Sequence, residues 1–118
     1  MQQLQWDDVQ RLEAATRVGK EVWLNERGSG MPMLWGVVEE EVGLVVDDAK
    51  HVIQRIRLAQ GVSWDQSPYG YKTGSFTIDP RSGGVKWAQY SQVLSEREYV
   101  ELLAKARAKG WPIFAAAA

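Results

Sequence analysis

Six tryptophans and no cysteine in a chain of 118 residues leave one way for the chain to hold itself together. It must bury large aromatic rings, because no disulfide can restrain its unfolded state. The length corresponds to one domain, since about 100–200 residues is typical and no stretch resembles a linker between two cores. A chain of this size buries roughly two-thirds of the surface its unfolded form exposes, enough to fold without a structural metal. Hydrophobic residues at 45% and charged residues at 25% place it among globular sequences. The expectation is a single compact domain over residues 1–118, ending in an apolar tail at 111–118.

The formal net charge of −1 supplies no global field for nucleic acid, which argues against a nucleic-acid partner. No run of 18 apolar residues is present to cross a bilayer, so no membrane association is expected. Met1 to Gln5 has neither the basic start nor the apolar stretch of a secretory signal, and the lack of cysteine fits a reducing compartment. Cytoplasmic residence is the expectation.

Trp6-Asp7-Asp8-Val9 opens a helical pattern in which Val9, Leu12 and Ala15 recur on one face, predicting a helix from about Asp8 to Arg17 closed by Gly19. Glu21 to Asn25 and Met33 to Val38 read as strands around the glycine-rich Arg27-Gly28-Ser29-Gly30, and Gly43 to Val46 reads as a third strand beyond the acidic run Glu39-Glu40-Glu41. From Asp47 to Gly61 the favoured reading is a helix capped by Asp47 or Asp48 and carrying Val52, Ile53, Ile56 and Ala59. A strand from His51 to Leu58 competes with it, because Val52, Gln54, Ile56 and Leu58 also alternate.

The C-terminal third carries stronger local signals. Ser75 to Ile78 and Val85 to Tyr90 flank the turn-forming Asp79-Pro80-Arg81-Ser82-Gly83-Gly84, which predicts a hairpin. Ser95-Glu96-Arg97-Glu98 has the form of a capping box, followed by Tyr99, Leu102, Leu103 and Ala106 on one face, with Gly110 and Pro112 beyond the end. The elements together predict an α+β domain: an antiparallel sheet of four or five strands packed on one side by two or three helices. The uncovered sheet face must then be solvated or occupied.

Residues 62–74 read as a loop that concentrates Trp64, Tyr69 and Tyr71 among turn-forming residues. Rigid aromatics beside small polar residues suit recognition surfaces, since they give large contact area at low entropy cost. On the second hairpin strand Trp87 and Tyr90 point to opposite faces, so one face beyond the core also carries an aromatic. Arg55 and Arg57 follow the acidic stretch and share a face only if their segment is a strand. The candidate contact residues are therefore Trp64, Tyr69, Tyr71, Trp87, Tyr90, Arg55 and Arg57, each weighed against the plainer role of core filling or solvated surface.

Catalytic equipment is sparse. His51 is the single imidazole, so a two-histidine metal site is excluded and His51 is expected to be structural or on the surface. Gly28-Ser29-Gly30 is not followed by the lysine and serine or threonine of a phosphate loop, and no serine stands in a nucleophile elbow. No catalytic residue, metal or cofactor is assigned. Trp111, Ile113 and Phe114 are expected to fold back onto the core, the alternative being docking into a second subunit of a homo-oligomer. The reading that results is a small non-enzymatic binding or adaptor module, expected as a homo-oligomer such as a homodimer, that uses the aromatic loop and a sheet face to engage a protein partner or a small planar ligand. The alternatives are a carboxylate-dependent hydrolase or metal-dependent enzyme, and an acidic inhibitor.

Overall fold

The computed structural model describes residues 6–26, 28–59, 67–88 and 93–113. Seven elements follow in the order α1 (Trp6–Ala14), β1 (Glu21–Asn25), β2 (Pro32–Val46), β3 (Ala49–Leu58), β4 (Tyr69–Ile78), β5 (Val85–Ala88) and α2 (Glu96–Ala108). The five strands form one antiparallel sheet in sequence order, β1-β2-β3-β4-β5, packed against helices in an α+β fold. By their internal contacts the residues group into two compact units. One comprises Met1–Ala15, Val42–Ile53 and Thr73–Ala118, the other Thr16–Glu41 and Gln54–Lys72.

Three expectations are corrected. The helix favoured for 47–61 is the strand β3. Asp47 and Asp48 form the two-residue turn of a β2–β3 hairpin, with Asp47 at a positive φ of 52°, a conformation that aspartate tolerates better than most residues but that a helix cap does not use. The β-branched Val52, Ile53 and Ile56 suit the strand that follows. The two strands expected at 33–38 and 43–46 are one strand of 15 residues, with the acidic run inside it. Residues 69–74, expected in a loop, belong to β4. Their glycines were misleading because they serve close approach and not turning: a Cβ on Gly70 would meet the Trp35 ring, and one on Gly74 would meet the Trp87 ring and the Ala88 carbonyl. Indoles lie over both positions.

The first unit packs Leu12 of α1, Val52 of β3 and Phe76 of β4 into a core that Ala15, Val45, Ile78 and Trp87 extend. Phe76 faces Trp87 across the β4–β5 ladder with ring centroids 4.9 Å apart and planes tilted by 56°, a cross-strand aromatic pair of the favourable kind. Lys50 Nζ donates to the carbonyls of Glu13 (2.9 Å) and Ala15 (2.6 Å), placing a cation on the orphan acceptors at the C-terminal end of α1. The helix stops at Ala14, short of the expected Arg17. The 79–84 turn forms as expected, with Gly83 N–H donating to the Asp79 carbonyl (2.8 Å) and Gly83 at φ 72°. The capping box is also present: Glu98 N–H donates to Ser95 Oγ (3.2 Å) and Ser95 N–H to Glu98 Oε1 (2.8 Å). Of the face expected on α2, Leu102 and Ala106 are buried while Tyr99 stays exposed. Trp111 is buried, Ile113 is exposed, and Phe114 lies outside the described residues.

The second unit has its own core of Val22, Val38 and Ile56, with Leu24, Trp35 and Leu58 against it. Each fully buried aliphatic side chain contributes roughly 1.5–3 kcal/mol relative to exposure. Gln54 is buried beside this core, and its Nε2 donates to Glu41 Oε2 (3.0 Å), which also accepts from the Arg17 amide (3.2 Å). One carboxylate oxygen thus satisfies a buried amide and a main-chain donor.

Two outcomes are expected in denaturant unfolding. Gly74→Ala destabilises by about 1–3 kcal/mol, since the new methyl meets a backbone carbonyl that cannot rotate away. Glu41→Ala destabilises by about 1–3 kcal/mol by leaving the Gln54 amide unsatisfied, and Gln54→Leu in that background recovers part of the loss.

Candidate interaction surface

Side chains along β3 alternate between the two sheet faces. In the first unit both parities are buried: Ala49, His51 and Ile53 on one, Val52 on the other. In the second unit Gln54 and Ile56 are buried, whereas Arg57 is exposed and Arg55 half-buried. Of the two arginines on β3, Arg57 is thus the exposed one.

Tyr69 and Tyr71 of β4 stand beside them, because the intervening Gly70 faces Trp35 and Leu58 on the core side. The Arg55 guanidinium carbon lies 3.6 Å from the centroid of the Tyr69 ring, within stacking and cation–π range. Arg55 Nε donates to the Tyr71 hydroxyl (3.2 Å), and Nη1 lies 4.0 Å from Glu40 Oε1. Arg57 Nε lies 3.9 Å from Glu39 Oε2, and the Arg57 side chain is 68% exposed. A hydrogen bond to the Tyr69 side chain, reinforced by Glu39, holds the Arg57 guanidinium above its ordinary range. Arg57 therefore keeps its charge on a face braced by tyrosines.

An apolar flank continues the face toward β1. Trp23 is paired with Leu34 and Glu21 with Val37 in the β1–β2 ladder, so each pair shares a side. Val22, Leu24 and Val38 take the core side, which turns Trp23 and Val37 outward, 50% and 38% exposed.

Of the seven residues singled out from sequence, the fold brings Arg55, Arg57, Tyr69 and Tyr71 together. Trp87 lies in the first unit against Phe76, and Trp64 and Tyr90 lie outside the described residues. Trp23 and Val37 were missed, although the alternation of Glu21-Val22-Trp23-Leu24-Asn25 already set Trp23 opposite in facing to Val22 and Leu24. Glu39 and Glu40 approach Arg57 and Arg55 across β2 and β3, while Glu41 turns to Gln54.

His51 is buried in the first unit, and its Nδ1 has no hydrogen-bond partner among the described residues. Burial lowers its pKa from the ordinary 6.5, against the opposing pull of Glu98 of α2 and of Asp48 and Asp47 in the β2–β3 turn. Among the described residues no group of three or more His, Cys, Asp or Glu side chains is placed to hold a metal ion, and no helix is long and apolar enough to cross a membrane.

Comparison with protein-family models, curated proteins and solved structures finds no match for this chain.

The histidine gives a pH dependence of known sign. Its folded-state pKa lies below its unfolded value, so below about pH 6.5 the unfolded chain binds more protons than the folded one. Stability is full above that pH and falls as the pH drops through it, until the folded-state pKa is reached. Chemical denaturation between pH 7.5 and 5.5 should register this slope, and His51→Leu should flatten it.

Proposed function

We propose that the chain is a non-enzymatic binding module that engages a protein partner through the sheet face bearing Arg55, Arg57, Tyr69 and Tyr71. The observation that carries this reading is the seating of Arg55 on Tyr69, with Arg57 left largely exposed beside it. Arginine and tyrosine are enriched at interface hot spots because they give large, directional contacts, and side chains already braced by their neighbours lose little freedom when a partner covers them. Trp23 and Val37 extend the face with apolar area.

An open face suits a protein better than a small planar ligand, which binds in concave sites. Two cavities of about 280 and 370 Å³ lie in the first unit, one along Val100, Leu103, Ala104 and Arg107 and the other beside Lys50 and Lys105. The carboxylate-enzyme and acidic-inhibitor readings rank lower. Glu39 and Glu40 are each matched by an arginine, and Glu41 is engaged by Gln54, so the acidic run presents neither a gathered acid–base pair nor an unmatched negative stretch.

A photo-crosslinking residue at position 57 should capture a partner that the same residue at exposed Val85, in the first unit, does not. Arg57→Glu and Tyr69→Ala, with circular dichroism unchanged, should each weaken binding of that partner by about ten-fold or more. Equal capture at both positions, or full affinity in the double variant, would refute the proposal.

A further inference from the structure

We infer that two copies of the chain join through β1, whose free edges pair antiparallel about a two-fold axis at Trp23. β1 ends the sheet on one side and β5 on the other. Edge strands of monomers are commonly guarded by lysine or proline. β5 is four residues long and carries Lys86 within it, whereas β1, Glu21-Val22-Trp23-Leu24-Asn25, holds neither lysine nor proline.

The main chain of β1 fixes which groups face outward. The Lys20 carbonyl accepts from Val38 N–H (3.0 Å) and Glu26 N–H donates to the Met31 carbonyl (2.8 Å), so both of these positions turn toward the β2 side. The ladder irregularity between Val22 and Trp23 adds its extra residue, Trp35, to β2, leaving the alternation along β1 unbroken. Glu21, Trp23 and Asn25 therefore present their N–H and C=O groups at the free edge. The contact recorded there, Arg17 Nη2 to the Glu21 carbonyl at 3.5 Å, is long enough to yield to a strand amide.

A two-fold axis at Trp23 sets Trp23 against Trp23, Glu21 against Asn25, Val22 against Leu24 and Lys20 against Glu26 of the second copy. All three outward positions then pair, giving six main-chain hydrogen bonds by the antiparallel pattern. Indoles meet at the axis, aliphatic residues meet on the core side, and opposite charges close both ends. Sliding the second copy by two residues either way spoils this match. One shift sets Lys20 against Leu24 and Glu21 against Trp23, and the other sets Val22 against Glu26. The complementarity belongs to one register, and its occupant is the chain itself.

The test is solution mass across a concentration series by light scattering, with the full chain and its variants. The wild type should reach twice the chain mass, and Trp23→Lys, which sets two ammonium groups against each other at the axis, should remain at the single-chain mass with unchanged circular dichroism. Lys20→Glu alone should raise the dimer dissociation constant by about ten-fold, and Lys20→Glu with Glu26→Lys should restore it. The chain has no cysteine, so Trp23→Cys offers one thiol per copy. Hydrogen-bonded antiparallel partners stand about 5.5 Å apart at Cα, within disulfide reach, and oxidation should link the copies where Val85→Cys does not. A single-chain mass at every concentration, a dimer that survives Trp23→Lys, or no recovery on charge exchange would overturn the inference. Arg57 and Tyr69, which test the binding face, lie on other strands, so the two proposals can fail separately.

Discussion

The placement of β3 inside the sheet is the constraint on which the rest depends. A central strand satisfies its main-chain donors and acceptors through neighbours on both sides, so a helix over the same residues would strip β2 and β4 of their partners. Once β3 is extended, strict alternation fixes the fate of each side chain. Val52 enters one core and Ile56 the other. Gln54, of the same parity, must be buried with its amide satisfied, and Glu41 of β2 supplies the acceptor. Arg55 and Arg57 are left on the opposite side, where no core residue follows them.

Glu39 and Glu40 of β2 meet Arg57 and Arg55 of β3 as ion pairs. Exposed ion pairs contribute little, about 0–1 kcal/mol, and the Arg57–Glu39 pair is of that kind. Arg55 is better anchored, with its side chain only 14% exposed, a tyrosine ring under its guanidinium and a second tyrosine at Nε. The face thus combines a fixed arginine with a more accessible one, a graded arrangement in which the buried charge orders the rings and the outer charge meets solvent.

The tryptophans divide along similar lines. Trp111 is enclosed and Trp35 and Trp87 lie against the two cores, where two glycines make room for their rings, while Trp6 and Trp23 remain at least half exposed. Aliphatic side chains fill most of the two cores, with Phe76 and Trp111 buried among the described residues. The exposed indoles are a surplus that the interior does not take up. One of them sits on the strand that ends the sheet, where main-chain hydrogen bonding and ring contact coincide.

The amino-acid sequence by itself determined the features whose physics is local. The Asp79 to Gly84 turn and the Ser95 to Glu98 capping box each close within six residues, so their chemistry could be read directly, and with them came the α+β class and the hairpin's Phe76 and Trp87. Arg55, Arg57, Tyr69 and Tyr71 were also legible as candidates, though not as neighbours. Only the tertiary structure decided that β3 is a strand, that the acidic run lies within β2, and that the Tyr69 to Gly74 segment is sheet. Those outcomes depend on ladders and indole contacts with residues far along the chain, and short windows such as His51 to Leu58 carry helical and extended periodicities equally well. The binding face exists only after that choice, since alternation on β3 and β4 is what sets two arginines against two tyrosines.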